Sequence, residues 1–425
     1  VSTTAAPPAP GAADPRRRIL PVVMMALFID SMGIGIIIPV APQLIMELSG
    51  LTAAEAVPLG GYLTVAYAVM QFLFSPIIGN LSDRYGRRPI LMASLAALSI
   101  DYLIMGFAPT LFWLFVGRLI AGIAGATFGT ANAVVADIIP PAERSKYFGL
   151  NGAAWGVGFI VGPVIGGLLG AYGPRVPFFF AAGLVGLNFL VALFVLRETL
   201  SPENRRAFTW KRANPIGAIR SLRPIPGAIG LLVVLFLYQV GHDTLPSTWS
   251  WVTMLKFGWD PGAIGLSLAA LGVGTAIVQG GLVGPLTRRY GEYRVATIGL
   301  VGAVIGFTGY ALAPTPAVMF MAIIPASMLG LTMPSVRAIL SRAVPANAQG
   351  ELQGAISGVV SFTAVIVPVS MTQLLHAATA PGAGINFPGA PFLAGALALT
   401  VAVVLFRQAT AAHHARTATG TGDGR

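Results

Sequence analysis

The sequence predicts an all-α membrane protein of twelve transmembrane helices in two pseudo-symmetric six-helix bundles. Three observations carry that prediction. Of the residues, 55% are hydrophobic and only 10% charged; apolar stretches of bilayer length recur along the chain; and one loop motif occurs twice. Soluble globular proteins carry charge on roughly a quarter of their residues, so a bilayer is the natural solvent for this chain. The absence of cysteine excludes a disulfide framework, a thiolate metal site and a cysteine nucleophile.

Stretches near the roughly 20 residues needed to cross a bilayer fall at 19–45, 58–80, 89–108, 110–139, 147–171 and 176–196. A second set follows at 226–254, 261–285, 295–313, 317–340, 353–377 and 388–406, the first of these broken by polar residues around His242 and Asp243. Residues 1–18, rich in Ala and Pro with no apolar core, read as a disordered tail rather than a secretory signal. The chain then divides into a bundle at 19–196, a linker at 197–225, a bundle at 226–406 and a second tail at 407–425.

An even number of spans places both tails on one side of the membrane. All but three of the 26 basic residues belong to that side; Arg175 and Lys256 fall in opposite loops, and Arg118 lies inside the fourth stretch. The positive-inside rule makes the tail side cytoplasmic. The same asymmetry explains the formal net charge of +11 and leaves no case for nucleic acid as a partner.

Residues 79–86 read GNLSDRYG and residues 284–291 read GPLTRRYG, agreeing at five positions with Ser82 matched by Thr287. Both copies close an even-numbered span and open a loop on the tail side. Internal similarity of this kind marks the duplicated halves of transporter folds, with the substrate site near the midplane between them.

GNLSDRYGRRP at 79–89 resembles the loop signature of the major facilitator superfamily, and LNGAAWGVGFIVGPVIGG at 150–167 resembles the glycine-proline motif of its proton-coupled drug antiporters. DSMGIGIIIPVAPQL at 30–44, SIDYLIM at 99–105, GRLIAGIAGAT at 117–127, IGLSLA at 264–269 and QGELQG at 349–354 are similar to the twelve-span tetracycline/proton antiporters. The likeness runs from about residue 20 to 405 and is strongest in the first half.

Asp83 with Arg84, Arg87 and Arg88 forms a basic loop that serves topology. An Asp at a helix end can also bond a helix N-terminus or arginines of the other half in one state and lose them in another; the resemblance implies this gating role for Gly79, Asp83 and Arg87, with Gly86 in the same loop. Along span 5, Gly158, Gly162, Gly166 and Gly170 recur at i+4 and form a smooth face beside Pro163 and Gly167, where helices can approach closely. The resemblance ties this motif to antiport.

Charges inside a membrane are costly and usually mark substrate or ion paths. Asp30 sits in span 1, Asp101 in span 3 and Arg118 in span 4. A structural Asp–Arg pair is one reading. A proton-coupling site is the other: low dielectric favours the neutral carboxylate and a neighbouring arginine the charged one, so protonation can switch as access alternates. The resemblance places Asp30, Asp101 and Arg118 on proton transfer, with Asp30 and Gln71 on the substrate path; Asp137, at the end of span 4, reads as an interfacial residue.

In the second half, the position of the family's span 9 acid is occupied by Gly306, and Thr275 stands where some members have a histidine. His242 and Asp243 of span 7 are either a satisfied polar pair or a relocated proton site, since His titrates near neutral pH; with no third ligand nearby, a metal site is not expected. Trp155, Phe159, Tyr238, Gln239 and Gln279 are expected along the substrate path, with Phe72, Trp249, Trp251, Met254 and Met333 as further apolar linings.

The expected function is proton-driven export of an amphipathic drug-like compound, with tetracycline or a related antibiotic as the named substrate, from a bacterial cytoplasmic membrane. The alternatives are a symporter or uniporter of a small metabolite, and a non-transporting receptor or lipid scramblase. No enzyme constellation and no GxxxxGK[ST] loop is present. No cofactor is expected beyond the proton gradient, although the substrate could travel as a magnesium chelate, and the chain is expected to work as a monomer in the lipid bilayer.

Overall fold

The computed structural model describes residues 15–125, 127–206, 228–345, 348–382, 384 and 386–419. Most of the expected first tail and of the linker lies outside the described residues; of the expected second tail only 420–425 does, and the last helix runs on to Thr419. Within them the chain is helical, and twelve spans follow in order. The first half holds span 1 (Pro15–Ile37, continued by a short helix Ala41–Ser49), span 2 (Ala53–Tyr85), span 3 (Arg87–Phe107), span 4 (Leu111–Ala124 and Thr127–Ile138), span 5 (Arg144–Gly170) and span 6 (Val176–Val195).

The second half begins with span 7 (Ala228–Phe257). This helix is continuous through His242 and Asp243, because the hydroxyls of Thr244 and Thr248 bond back to carbonyls one turn earlier instead of interrupting the ladder. The polar residues that interrupt the apolar stretch are carried within this one helix. Span 8 (Pro261–Ile277, with a π turn at Val278–Leu282) and span 9 form one helical stretch to Leu312, bent only at Gly291. Span 10 is Pro316–Ala343 with a 3₁₀ turn at Met328–Leu331, span 11 is Gln349–Thr379, and span 12 starts at Ala390.

Local chemistry sets the helix starts. Thr52 and Glu55 form a capping box at span 2, the Asp260 carboxylate accepts from Ala263 N at 2.8 Å at span 8, and Thr315 caps span 10; each satisfies backbone donors that a helix start leaves open. The two copies of the loop motif each end on a left-handed glycine, Gly86 at φ 109° and Gly291 at φ 76°. A residue with a Cβ rarely adopts that conformation, so the repeat encodes the same reversal twice.

Spans 1 with 5, 3 with 6 and 2 with 4 pack within the first half; spans 7 with 12, 7 with 11 and 9 with 12 pack within the second; span 5 against 8 and span 2 against 11 join the halves. The tail face, on which span 1 begins and span 12 ends, and the opposite far face differ in closure. At the far face, Ser250 donates to Ile38 O at 2.9 Å, Gln373 to the Tyr62 hydroxyl at 2.8 Å and His376 Nδ1 to Ala54 O at 2.7 Å. Toward the tail face the same spans part. Side chains built on Gly149, Gly152 and Gly156 of span 5, or on Gly280 and Gly281 of span 8, would meet nothing within 4 Å.

Candidate functional site

Between the halves lies a cavity of about 310 Å³, capped by the far-face contacts and lined from both bundles. Its polar lining is Thr64, Tyr67, Gln71 and Arg118 from the first half and Asp243, Ser247 and Ser250 from the second; Trp251 and Pro368 close it. Gln71 is fixed from both sides, its amide nitrogen donating to the Tyr67 hydroxyl at 3.0 Å and to Gly125 O at 3.3 Å.

Arg118 joins this cavity to a buried acid. Its Nη2 donates to Asp101 Oδ2 at 3.2 Å and contacts Met105 Sδ at 2.8 Å, and its guanidinium carbon stands 5.9 Å from the centre of the Tyr67 ring. The Asp101 side chain is fully buried, and its Oδ1 has no partner among the described residues. Gly117 makes the approach possible, since a Cβ there would reach 2.5 Å from that same oxygen. Asp30 is buried too, and no side chain or backbone donor among the described residues bonds its carboxylate. Tyr67 and Tyr102 are each close enough to both acids to interact with them electrostatically.

Span 7 separates the two members of its polar pair. His242 Nδ1 and Asp243 Oδ1 are 3.0 Å apart, but His242 is 53% exposed whereas Asp243 is 16% exposed and faces the cavity, its Oδ2 unpartnered among the described residues. Tyr238 stacks on the His242 ring at 6.0 Å.

Other expected path residues stand outside this cavity. Trp155 and Phe159 stack at 5.6 Å on span 5, toward the parted tail face. Gln239 is buried in span 7, and Gln279 is exposed on span 8. Trp249 is core, donating to Ser267 at 2.9 Å and packing edge-on to Tyr310. At Gly306 a Cβ would run into the backbone of Ala326 in span 10, so helix packing leaves no room for an acidic side chain at that position.

At the tail face, Arg87 donates to Asp83 Oδ1 at 2.6 Å and to Asp137 Oδ2 at 3.1 Å. Asp137 is therefore part of the loop cluster rather than a mere interfacial residue. Asp83 bonds within its own half, and Arg206 N donates to its carbonyl at 3.1 Å. Glu198, just after span 6, accepts from Arg87 N at 2.8 Å and Arg88 N at 3.2 Å, capping span 3; Arg88 also donates to Leu193 O at 2.9 Å. Arg84 lies over the Tyr85 ring, and Gly79 has open space about it.

The glycine stripe has two partners. Gly158, Gly162 and Gly166 lie against backbone of Phe28, Met32 and Ile36 in span 1 of the same half, whereas Gly167 and Gly170 lie against Pro261 of span 8 and Gly265 lies against Pro163. Only this second edge joins the halves, a narrower interface than the whole motif suggests.

Two six-helix halves that meet over a polar-lined cavity at one membrane face and part at the other define an integral-membrane carrier of small molecules. The Major Facilitator Superfamily model matches residues 23–368, with a second match over 231–422, and the chain belongs to that family. It is a transporter, not an enzyme. It is 37% identical to the class C tetracycline resistance protein of Escherichia coli over 86% of this chain and 91% of that protein. It is also 31% identical to multidrug resistance protein 2 of Bacillus subtilis over 81% of this chain and 84% of that protein. In fold it is similar to the nucleoside transporter NupG (TM-score 0.76, 13% identity, 92% of this chain and 98% of that one). It is likewise similar to a bacterial homolog of the lysosomal transporter Spinster in an inward-facing, unoccupied conformation (TM-score 0.75, 18% identity, 94% and 98%).

Proposed function

We propose that this protein exports a drug-like compound, tetracycline or a related amphipathic antibiotic, in exchange for protons by alternating access across a bacterial cytoplasmic membrane, both termini being cytoplasmic. The observation that carries the reading is that one guanidinium, Arg118, touches both the substrate cavity and the buried Asp101. A substrate oxygen that engages Arg118 draws it from the carboxylate, and a proton on Asp101 releases it toward the cavity. Substrate and proton thus act on one ion pair, the substrate through Arg118 and the proton through Asp101, which ties both ligands to a single site. The membrane potential supplies about 2.3 kcal/mol per charge per 100 mV, and the likeness to tetracycline and multidrug resistance proteins supports the substrate class. The tail-side mouth is then the cytoplasmic one, open to load. In everted vesicles energised to an acid interior, adding tetracycline or a lipophilic cation should release protons; if neither does, the drug-exchange reading fails.

Asp243 belongs to the same site from the other half, and it stands in for the acid that Gly306 excludes. Asp243→Asn is expected to lower transport about tenfold, the size of a lost hydrogen bond to a charged group, while His242→Gln, with the side chain half outside, changes the rate far less. Equal losses measured in vesicle uptake would remove Asp243 from the cavity chemistry.

A further inference from the structure

We infer that Glu143 and Arg288 form an ion pair between the halves that locks the tail-side mouth when it closes, a proposal that rests on alternating access. In the structure both side chains are exposed, and neither has a partner among the described residues. Their neighbours are engaged elsewhere. Arg144 donates to Ile139 O at 3.0 Å and Ala136 O at 2.7 Å, Arg289 stands 5.3 Å over the Tyr290 ring, and Glu292 pairs with Arg342 at 2.7 Å. Glu143 and Arg288 are left as opposite charges at the open ends of spans 5 and 8, one of the two span pairs that join the halves.

Their register follows from the closed end. Spans 5 and 8 run antiparallel, with Gly167 against Pro261 and Gly262, Pro163 against Gly265, and Ile160 against Gly272. An equal number of residues leads from Ile160 back to Glu143 and from Gly272 forward to Arg289; counted from Pro163 and Gly265, it leads to Pro285. Arg288 lies inside that window. The glycines that face open space on the way, Gly149, Gly152 and Gly156 against Gly280 and Gly281, are the small residues a close approach of these two helices requires. Closing the mouth by continuing the contact already made at the far face therefore brings Glu143 to Arg288.

The chain has no cysteine, so Glu143→Cys with Arg288→Cys introduces a clean pair. A short bis-maleimide should cross-link it several-fold more during tetracycline-driven turnover than at rest. A reference pair, Leu81→Cys with Glu351→Cys, reports closure of spans 2 and 11, whose register follows from Gly61 against Thr372 and His376 against Ala54. Charge exchange supplies a second reading. Glu143→Arg alone should slow transport about threefold, the size of one solvent-accessible ion pair, and adding Arg288→Glu should restore most of the rate. Cross-linking of the reference pair without the 143–288 pair, or no rescue by charge exchange, overturns the lock and leaves alternating access standing. Cross-linking of neither pair overturns both.

Discussion

Asp101→Asn is expected to reduce substrate-driven proton release to background while leaving an inserted, folded protein. The amide keeps the shape of the carboxylate, including the oxygen that fits against Gly117, but it neither takes up nor gives up a proton. It also leaves Arg118 without its counter-charge. Removing one member of a fully buried pair costs about 3–5 kcal/mol; the cost is smaller here because the Arg118 side chain is 15% exposed and reaches the cavity. The variant should therefore still bind substrate and exchange it across the vesicle membrane in counterflow, which moves no net proton. Proton release at the parent rate would eliminate Asp101 as the coupling group, and loss of counterflow as well would point to a structural pair instead.

Span number and the buried charges were legible in the sequence because each is a local signal: a run of apolar residues, a charge where none is comfortable. What depends on helix rotation was not. Gln71 lines the cavity, and so does Arg118, whose expected role is proton transfer alone, yet Asp30, Trp155, Phe159, Tyr238, Gln239 and Gln279 do not, because a hydrophobic helix carries too little amphipathic contrast to fix its inward face. Tyr67 was within reach of reasoning, one helical turn before Gln71 and so on the same face. Asp137 was also within reach. The offset that relates GNLSDRYG to GPLTRRYG carries Arg87 to Glu292 and Asp137 to Arg342, and the structure shows both pairs formed, with their signs exchanged between the halves. Glu198 gave no sequence signal, since its role as the cap of span 3 exists only once span 6 has returned to the same loop.

Gly167→Leu and Gly166→Leu should have opposite kinds of effect although the residues are adjacent. Gly166 meets the backbone of Ile36 within its own half, a contact that a moving half carries along in every state. Overpacking it costs about 1–3 kcal/mol of the whole fold, and the expected result is less protein in the membrane with no change of conformational balance. A Cβ on Gly167 would instead come to 2.5 Å from the Pro261 carbonyl oxygen and 3.1 Å from the Gly262 Cα across the joint between the halves. Backbone cannot swing aside as a side chain can, so the same penalty falls only on the state in which the far face is shut. About 1.4 kcal/mol is a tenfold shift in population, and Gly167→Leu is therefore expected to open the far face and stall transport while the protein still folds. A cysteine placed at Thr64, inside the cavity, should then react with an impermeant maleimide applied from the far face about tenfold faster than in the parent. Labelling that stays at the parent rate would mean that the joint between spans 5 and 8 does not govern which face is open.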